Sequence, residues 1–330
     1  MLSPKIAGSL FFSLLARTMC GQVIDQTASF RALDANTYIR VHYENDFFTA
    51  TDYYYTQGIN LEVVHPAFQK FFLNKLLISV GSHRQAGIAI EHNGYTPTSI
   101  EHNEILYGDR PFAAALMFNT FLISSQDSLH RRITSSLTLG VIGPAAGGRA
   151  MQSTIHQWVR DTQPLGWQNQ IQNDVVINYE AGIEKSVVPG SGVILVNVFG
   201  KMRAGTMNTK LSAGIVMMVG KFNSRIVSVF SHNQNAVSTS KSKKFTFHGY
   251  WQPMVNVVGY DATLQGGLFN QTSPYTISAD SMTRLTFQSN AGIVMNVGSV
   301  YLEYFHTFLT REFETGRSHA WGGVRVGARL

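Results

Sequence analysis

Apolar and polar residues alternate with a period of two along most of the chain. In "YIRVHYEND", Ile39, Val41 and Tyr43 alternate with Arg40, His42, Glu44 and Asp46. In "TQGINLEV", Ile59, Leu61 and Val63 alternate with Thr56, Gly58, Asn60 and Glu62. In "INYEAGIEKSV", Ile177, Tyr179, Ala181 and Ile183 oppose Asn178, Glu180, Gly182 and Glu184. The chain closes on Val324, Val326, Ala328 and Leu330, set against Arg325, Gly327 and Arg329. Side chains of a strand point alternately to opposite faces, so this pattern marks strands whose two faces meet different surroundings. It predicts twelve strands, over residues 38–46, 55–64, 85–94, 112–123, 132–142, 174–188, 192–203, 211–222, 244–257, 283–297, 299–310 and 320–330.

Alternation alone does not say which face meets water. A soluble sandwich turns its charges outward, whereas a membrane barrel turns them into its lumen. The N-terminal segment bears on the choice. Lys5 precedes an apolar run over residues 6–15, and Thr18 and Cys20 suit cleavage after Cys20. Residues 1–20 therefore read as a signal peptide and 21–330 as one domain. The run is shorter than the roughly 20 residues of a membrane helix, and no later stretch is longer. The only cysteine lies in this leader, so the exported chain does not rely on disulfides. Strand length, the leader and a chain that ends on its last strand favour an all-β protein: a twelve-stranded antiparallel transmembrane β-barrel with a short helix in an outer loop.

Composition agrees. Charged residues are 14% of the 330, aromatics 12%, and Gly contributes 29. The net charge of +6 is scattered, and its one dense run, "KSKK" at 241–244, reads as a solvated turn. No nucleic-acid partner is expected.

With strand one running outward, every odd-numbered connection lies on the outer rim. Connections one, three and five hold "FFTATDYY", "YTPTSIEHNEILYGDR" and "GPAAGGRAMQSTIHQWVRDTQPLGWQNQIQN". By parity, Asp46 and Thr56 are expected to face inward at the outer ends of adjacent strands. "RAMQSTIHQWVRD" predicts a helix with an apolar stripe of Met151, Ile155, Trp158 and Val159, and with Gln152 and His156 together on another face. This helix is expected over the barrel mouth, holding His156 above the lumen. A His beside a carboxylate and a water makes a sound general base, although a loop His can equally serve structure. The acids Glu44, Asp46, Asp52, Glu101, Asp109 and Asp161 offer the oxygens that calcium takes, or balance Arg110, Arg149 and Arg160. No G-x-S-x-G elbow occurs, which favours attack by water over an acyl-enzyme.

"YENDFF", "YYTQG", "YTP…GDRPFAA" and "VIGPAAGGRAMQSTIH…PLGWQNQIQN" together resemble the outer-membrane lipid A 3′-O-deacylases, from Tyr38 onward. The resemblance implies a monomeric barrel in the outer membrane that removes the 3′-linked acyloxyacyl group of lipid A, in lipopolysaccharide, with calcium. It implies His156 as general base, with Asn45, Asp46 and Thr56 as its catalytic partners. It makes Asp46 and Asp161 the candidate calcium ligands and His102 and Gln152 the candidate substrate-binding residues. His102 stands nearest to a basic residue of the family's third connection. The alternatives are a phospholipase-type esterase on the same barrel and a barrel without enzymatic activity.

Overall fold

The computed structural model describes residues 24–51, 53–81, 83–188, 193–230 and 245–330. The leader at 1–20, Asp52, the Pro189-Gly190 turn and the "KSKK" run lie outside the described residues. Twelve antiparallel strands close into one barrel, each paired with its chain neighbours and the first with the last. They are β1 (Tyr38–Asn45), β2 (Tyr54–Val64), β3 (His83–Thr96), β4 (Ala113–Gln126), β5 (Arg131–Ile142) and β6 (Asp174–Val188). They continue as β7 (Ile194–Gly205), β8 (Asn208–Lys221), β9 (Phe245–Asp261), β10 (Leu285–Val297), β11 (Val300–Leu309) and β12 (His319–Arg329). Among the described residues no helix is long and apolar enough to cross a membrane.

The sense of the alternation is that of a membrane barrel. Along β1, Arg40 is 2% exposed and Val41 is 50% exposed. On β11 every second residue, including Tyr301, Glu303 and Phe305, is buried, while Leu302, Tyr304 and Phe308 are open. Charges face the lumen and apolar side chains face outward, the reverse of a soluble sandwich. Lumen charges are paired: Arg40 with Glu62 at 2.9 Å, Arg203 with Glu180 at 2.5 Å and Arg325 with Glu303 at 2.7 Å. Burying charge is tolerated because these charges find opposite partners, and Glu91, which has none among the described residues, is held by the hydrogen bonds of Asn93 and Asn119.

The segment before β1 threads this lumen, a feature the alternation does not announce. Arg31 pairs with Glu303 at 3.0 Å, and Lys201 reaches Asp25 at 2.5 Å. The Ile24 amide and the Gln26 side chain both donate to Glu91, and Ser29 donates to Glu184. Phe30 stacks on Tyr250 with centroids 3.8 Å apart. Arg40, His248 and Gln85 bind its backbone carbonyls at Arg31, Phe30 and Ala35. Helix α2 (Ser224–Phe230), which comes after α1 (Gly148–Val159) in the chain, packs Ile226, Val229 and Phe230 into the same cluster as Phe30 and Leu33. The near end of the barrel is filled by its own chain.

Candidate active site between the outer wall and a loop helix

The fifth connection builds the site. After β5, the chain turns through Gly143 and Gly147 and enters α1. Gly147 has φ 78°, a left-handed conformation that favours glycine. Gly148 is required for a different reason. A Cβ there would come within 2.4 Å of the Ala114 Cβ and 2.7 Å of the Trp167 ring, so the helix can approach the wall only with a bare Cα.

Ala114 fixes which side of the wall this is. Its neighbours Ala113 and Ala115 belong to a lumen cluster with Tyr55, Tyr95 and Trp321. Ala114 therefore faces outward, as does Leu116, which is 41% exposed. On β3, Glu91 and Asn93 are lumen-facing and hydrogen-bond each other. His92 lies on the opposite face and meets the Ala146 carbonyl at 3.0 Å. Helix α1 thus lies against the outside of the barrel wall. The expectation that it caps the lumen is corrected: the lumen is already filled by paired charges and the N-terminal segment, and the Gly94–Ala114–Gly148 surface offers a close seat outside.

The helix starts over β4, and Gln152, a turn later, reaches β2, where its Nε2 meets the Thr56 hydroxyl at 3.4 Å. Trp167 donates from Nε1 to the Gln152 Oε1 at 2.7 Å, and it packs on Phe112. This relay of Trp167, Gln152 and Thr56 ties the loop to the wall. Gln152, expected to bind substrate, is 2% exposed and is spent on this tie. At 1.5 Å per residue, another turn carries His156 about 6 Å further along the helix. The expected apolar stripe does not form the buried face. Gly148 and Gln152 do, while Trp158 is 80% exposed.

At β1, Asn45 lies on the outward face with Tyr43. Its Nδ2 meets the Tyr43 Oη at 3.3 Å and donates to the Thr56 carbonyl at 2.5 Å, and its Oδ1 accepts from the Phe47 amide at 2.7 Å. This cap starts the 3-10 turn Asp46–Thr49, so Asp46 has left the strand. Thr56 sits at a bulge, where the register shifts between Tyr55 and Gln57. The inward orientation expected for Thr56 is thereby corrected, because the extra residue of a bulge changes its face. Asp46 lies in the 3-10 turn, where the strand alternation no longer applies.

His156 is held by the end of its own helix. Arg160 adopts φ 58° and reverses the chain. The Thr162 carbonyl then lies 2.6 Å from His156 Nδ1. Nδ1 must be the protonated nitrogen there, which leaves Nε2 with its lone pair. Asp161 is close, 3.8 Å from Nδ1, but its carboxylate is 63% exposed and also accepts from the Thr162 amide.

The other acids fall into separate duties. Glu44 is in the lumen, bound to Trp321 and Arg325. Asp109 caps Thr98, and Glu101 is exposed. Arg110 pairs with Glu312 at 2.5 Å; burial raises that loop carboxyl above its ordinary range, and the Arg110 guanidinium pulls it back. Among the described residues no three His, Cys, Asp or Glu side chains gather as a metal group, so Asp46, His156 and Asp161 do not form one. Asp46 remains as a buried carboxylate, a donor type that suits calcium, with the Thr49 hydroxyl donating to its backbone carbonyl. His102 is exposed on connection three, which docks on connection five through Asn103 and the side chains of Gln168 and Asn169. It stands apart from the His156 cluster's hydrogen bonds. Trp167 and Gln57 are the residues the sequence pattern passed over.

The structure superposes on LpxR from Salmonella typhimurium with a TM-score of 0.73 at 20% identity, covering 89% of this chain and 100% of that one. The β-domain of the Bordetella autotransporter BrkA (TM-score 0.45, 7% identity, 90% and 99% covered) and the translocator domain of NalP from Neisseria meningitidis (0.41, 8%, 91% and 90%) are more distant. No curated protein sequence matches. Residues 9–330 match the family described as outer membrane protein LpxR. The chain belongs to that family, the outer-membrane lipid A 3′-O-deacylases that its motifs resemble.

Proposed function

We propose that this barrel hydrolyses the 3′-linked acyloxyacyl ester of lipid A, using water activated by His156. One observation carries the proposal: the helix that bears His156 is tied to the outward wall through Gln152 and Thr56, where a lipid of the outer leaflet can reach it without entering the lumen. A lumen site would exclude such a substrate.

His156 Nε2 takes a proton from water, and the resulting hydroxide oxygen bonds to the acyl carbonyl carbon. The tetrahedral intermediate then breaks its bond to the sugar 3′-oxygen, which leaves with the proton held on Nε2. The products are an acyloxyacyl fatty acid and a free 3′-hydroxyl. Asn45 and the Trp167–Gln152–Thr56 relay hold the wall and the helix at a fixed spacing, and such preorganisation is worth several powers of ten in rate. Asp46 is the residue we assign to calcium, with neutral oxygens completing its shell. Bound there, the ion would polarise the ester carbonyl. Asp161 lies by the opposite ring nitrogen and is not needed for this role.

The test is mass spectrometry of lipid A from cells with and without the chain, and of lipid A incubated with the purified protein. Loss of the 3′ acyloxyacyl chain supports the proposal. Hydrolysis of diacylphospholipid alone would mark a phospholipase-type esterase, and inertness toward both would mark a non-enzymatic barrel.

A further inference from the structure

We propose that the side-chain amide of Gln57 is a substrate-binding group that donates a hydrogen bond to the carbonyl oxygen of the acyl ester; this rests on the deacylase function proposed above. Gln57 is 3% exposed, and its Nε2 is buried with no hydrogen-bond partner. A buried N–H without an acceptor destabilises a fold, and such groups are rare enough to call for a reason.

Its position supplies one. Gln57 pairs with Gly94 on β3, and Gly94 pairs with Ala114 on β4. A Cβ on Gly94 would lie 3.1 Å from the Gln57 Cγ and 3.4 Å from its Nε2, so the amide rests over that glycine on the outward face. Ala114, one strand further, seats the start of α1. On the other side stands β1, where Asn45 binds the carbonyl of the preceding residue, Thr56. Gln57 therefore forms the floor between Asn45 and the wall-seated helix.

Nearby polar groups do not consume it. Gln152 is bound to Thr56 and Trp167. His92, its diagonal neighbour on β3, holds the Ala146 carbonyl through Nε2, and its Nδ1 is also buried without a partner. The two side chains do not satisfy each other. An ester offers acceptors and no donors, so an uncharged N–H donor matches its carbonyl oxygen, and more so as negative charge develops there.

The experiment is Gln57→Leu, which keeps the approximate bulk and removes the N–H groups. Two quantities are measured: kcat for acyl release from lipid A, and the temperature at which the barrel loses its folded gel mobility. We expect kcat to fall about 10²–10³-fold, as for other lost oxyanion donors, with a melting temperature equal to or above that of the native chain. Removing a group that only destabilises the fold cannot cost stability, whereas removing a structural amide must. A kcat within threefold of native overturns the proposal, and so does a loss of activity that tracks a lowered melting temperature. Should Gln57→Leu fail to fold, the structural role is favoured unless Gln57→Met folds and shows the same loss. Failure of the native protein itself to release the acyl chain would overturn the deacylase function, and this inference with it.

Discussion

The Thr162 carbonyl lies 2.6 Å from His156 Nδ1, and that contact decides which nitrogen of the ring can act as a base. It exists because Arg160 takes a left-handed conformation and folds the chain back on its own helix. The carboxylate of Asp161 is further from the ring and mostly in solvent. His156→Asn should leave a folded barrel and reduce acyl release by about 10²–10⁴-fold, the usual cost of a lost general base. Asp161→Asn should reduce it less than tenfold. Equal losses in the two variants would show that the carboxylate, and not the backbone carbonyl, orients the ring.

Helix α1 meets the wall where Gly148 faces Ala114. A methyl group on Gly148 would fall 2.4 Å from the Ala114 Cβ, so the helix or the strand must move. The strand is fixed by ladder bonds on both sides, and the helix is the element that yields. Gly148→Ala should therefore cost at least tenfold in activity while barrel melting changes little. Ala114→Gly, added to Gly148→Ala, removes the nearest contact and should restore part of the rate. No recovery in the double variant would locate the sensitivity elsewhere, at the Trp167 ring.

The buried Asp46 is assigned to calcium, which predicts that chelation stops acyl release and that added calcium restores it. Asp46→Asn should weaken the response to calcium by at least tenfold in the concentration needed for half activity, since a charged carboxylate holds calcium more strongly than a neutral amide oxygen. Full activity of the native protein after thorough chelation would remove the ion from the reaction.

The barrel was legible in the sequence because lipid and lumen impose opposite demands on alternate residues, and Ile39 to Glu44 or Ile59 to Glu62 show that alternation plainly. Eleven of the twelve expected strands start within two residues of those observed, and the eighth begins three residues earlier; the far ends of β3, β4, β7 and β9 run two to four residues further. The site was legible in its residue types and not in its facing. Counting in twos from Glu62 places Thr56 in the lumen, but the bulge beside Tyr55 breaks the count. Counting in twos from Arg40 does the same for Asp46, and the Asn45-capped turn breaks that one. Gln57 was invisible because a polar residue on a lipid face makes sense only once α1 is known to cover it. The N-terminal segment has no period to read, since its partners are Glu91, Glu184 and Glu303, far along the chain.

That segment leads to a last prediction. The lumen of this barrel is lined by charges, and a water-filled lumen of this kind conducts ions in larger barrels. Here Phe30 stacks on Tyr250, Arg31 binds Glu303 and Asp25 binds Lys201, so the chain itself fills the passage. The native protein should be silent in a planar bilayer. Removing residues 24–33 behind an intact leader should open discrete conductance steps, because Glu91, Glu184 and Glu303 lose partners and take up water instead. Acyl release should persist within about threefold, since His156, Asn45 and Gln57 stand on the other side of the wall. The deletion also takes away hydrogen bonds, so Phe30→Ala with Arg31→Ala is the milder companion, expected to give smaller and more frequent openings. Silence from both folded variants would mean that the remaining lumen side chains close the barrel unaided. Loss of acyl release in a folded, conducting variant would mean that the lumen and the outer site are coupled through the strands between them.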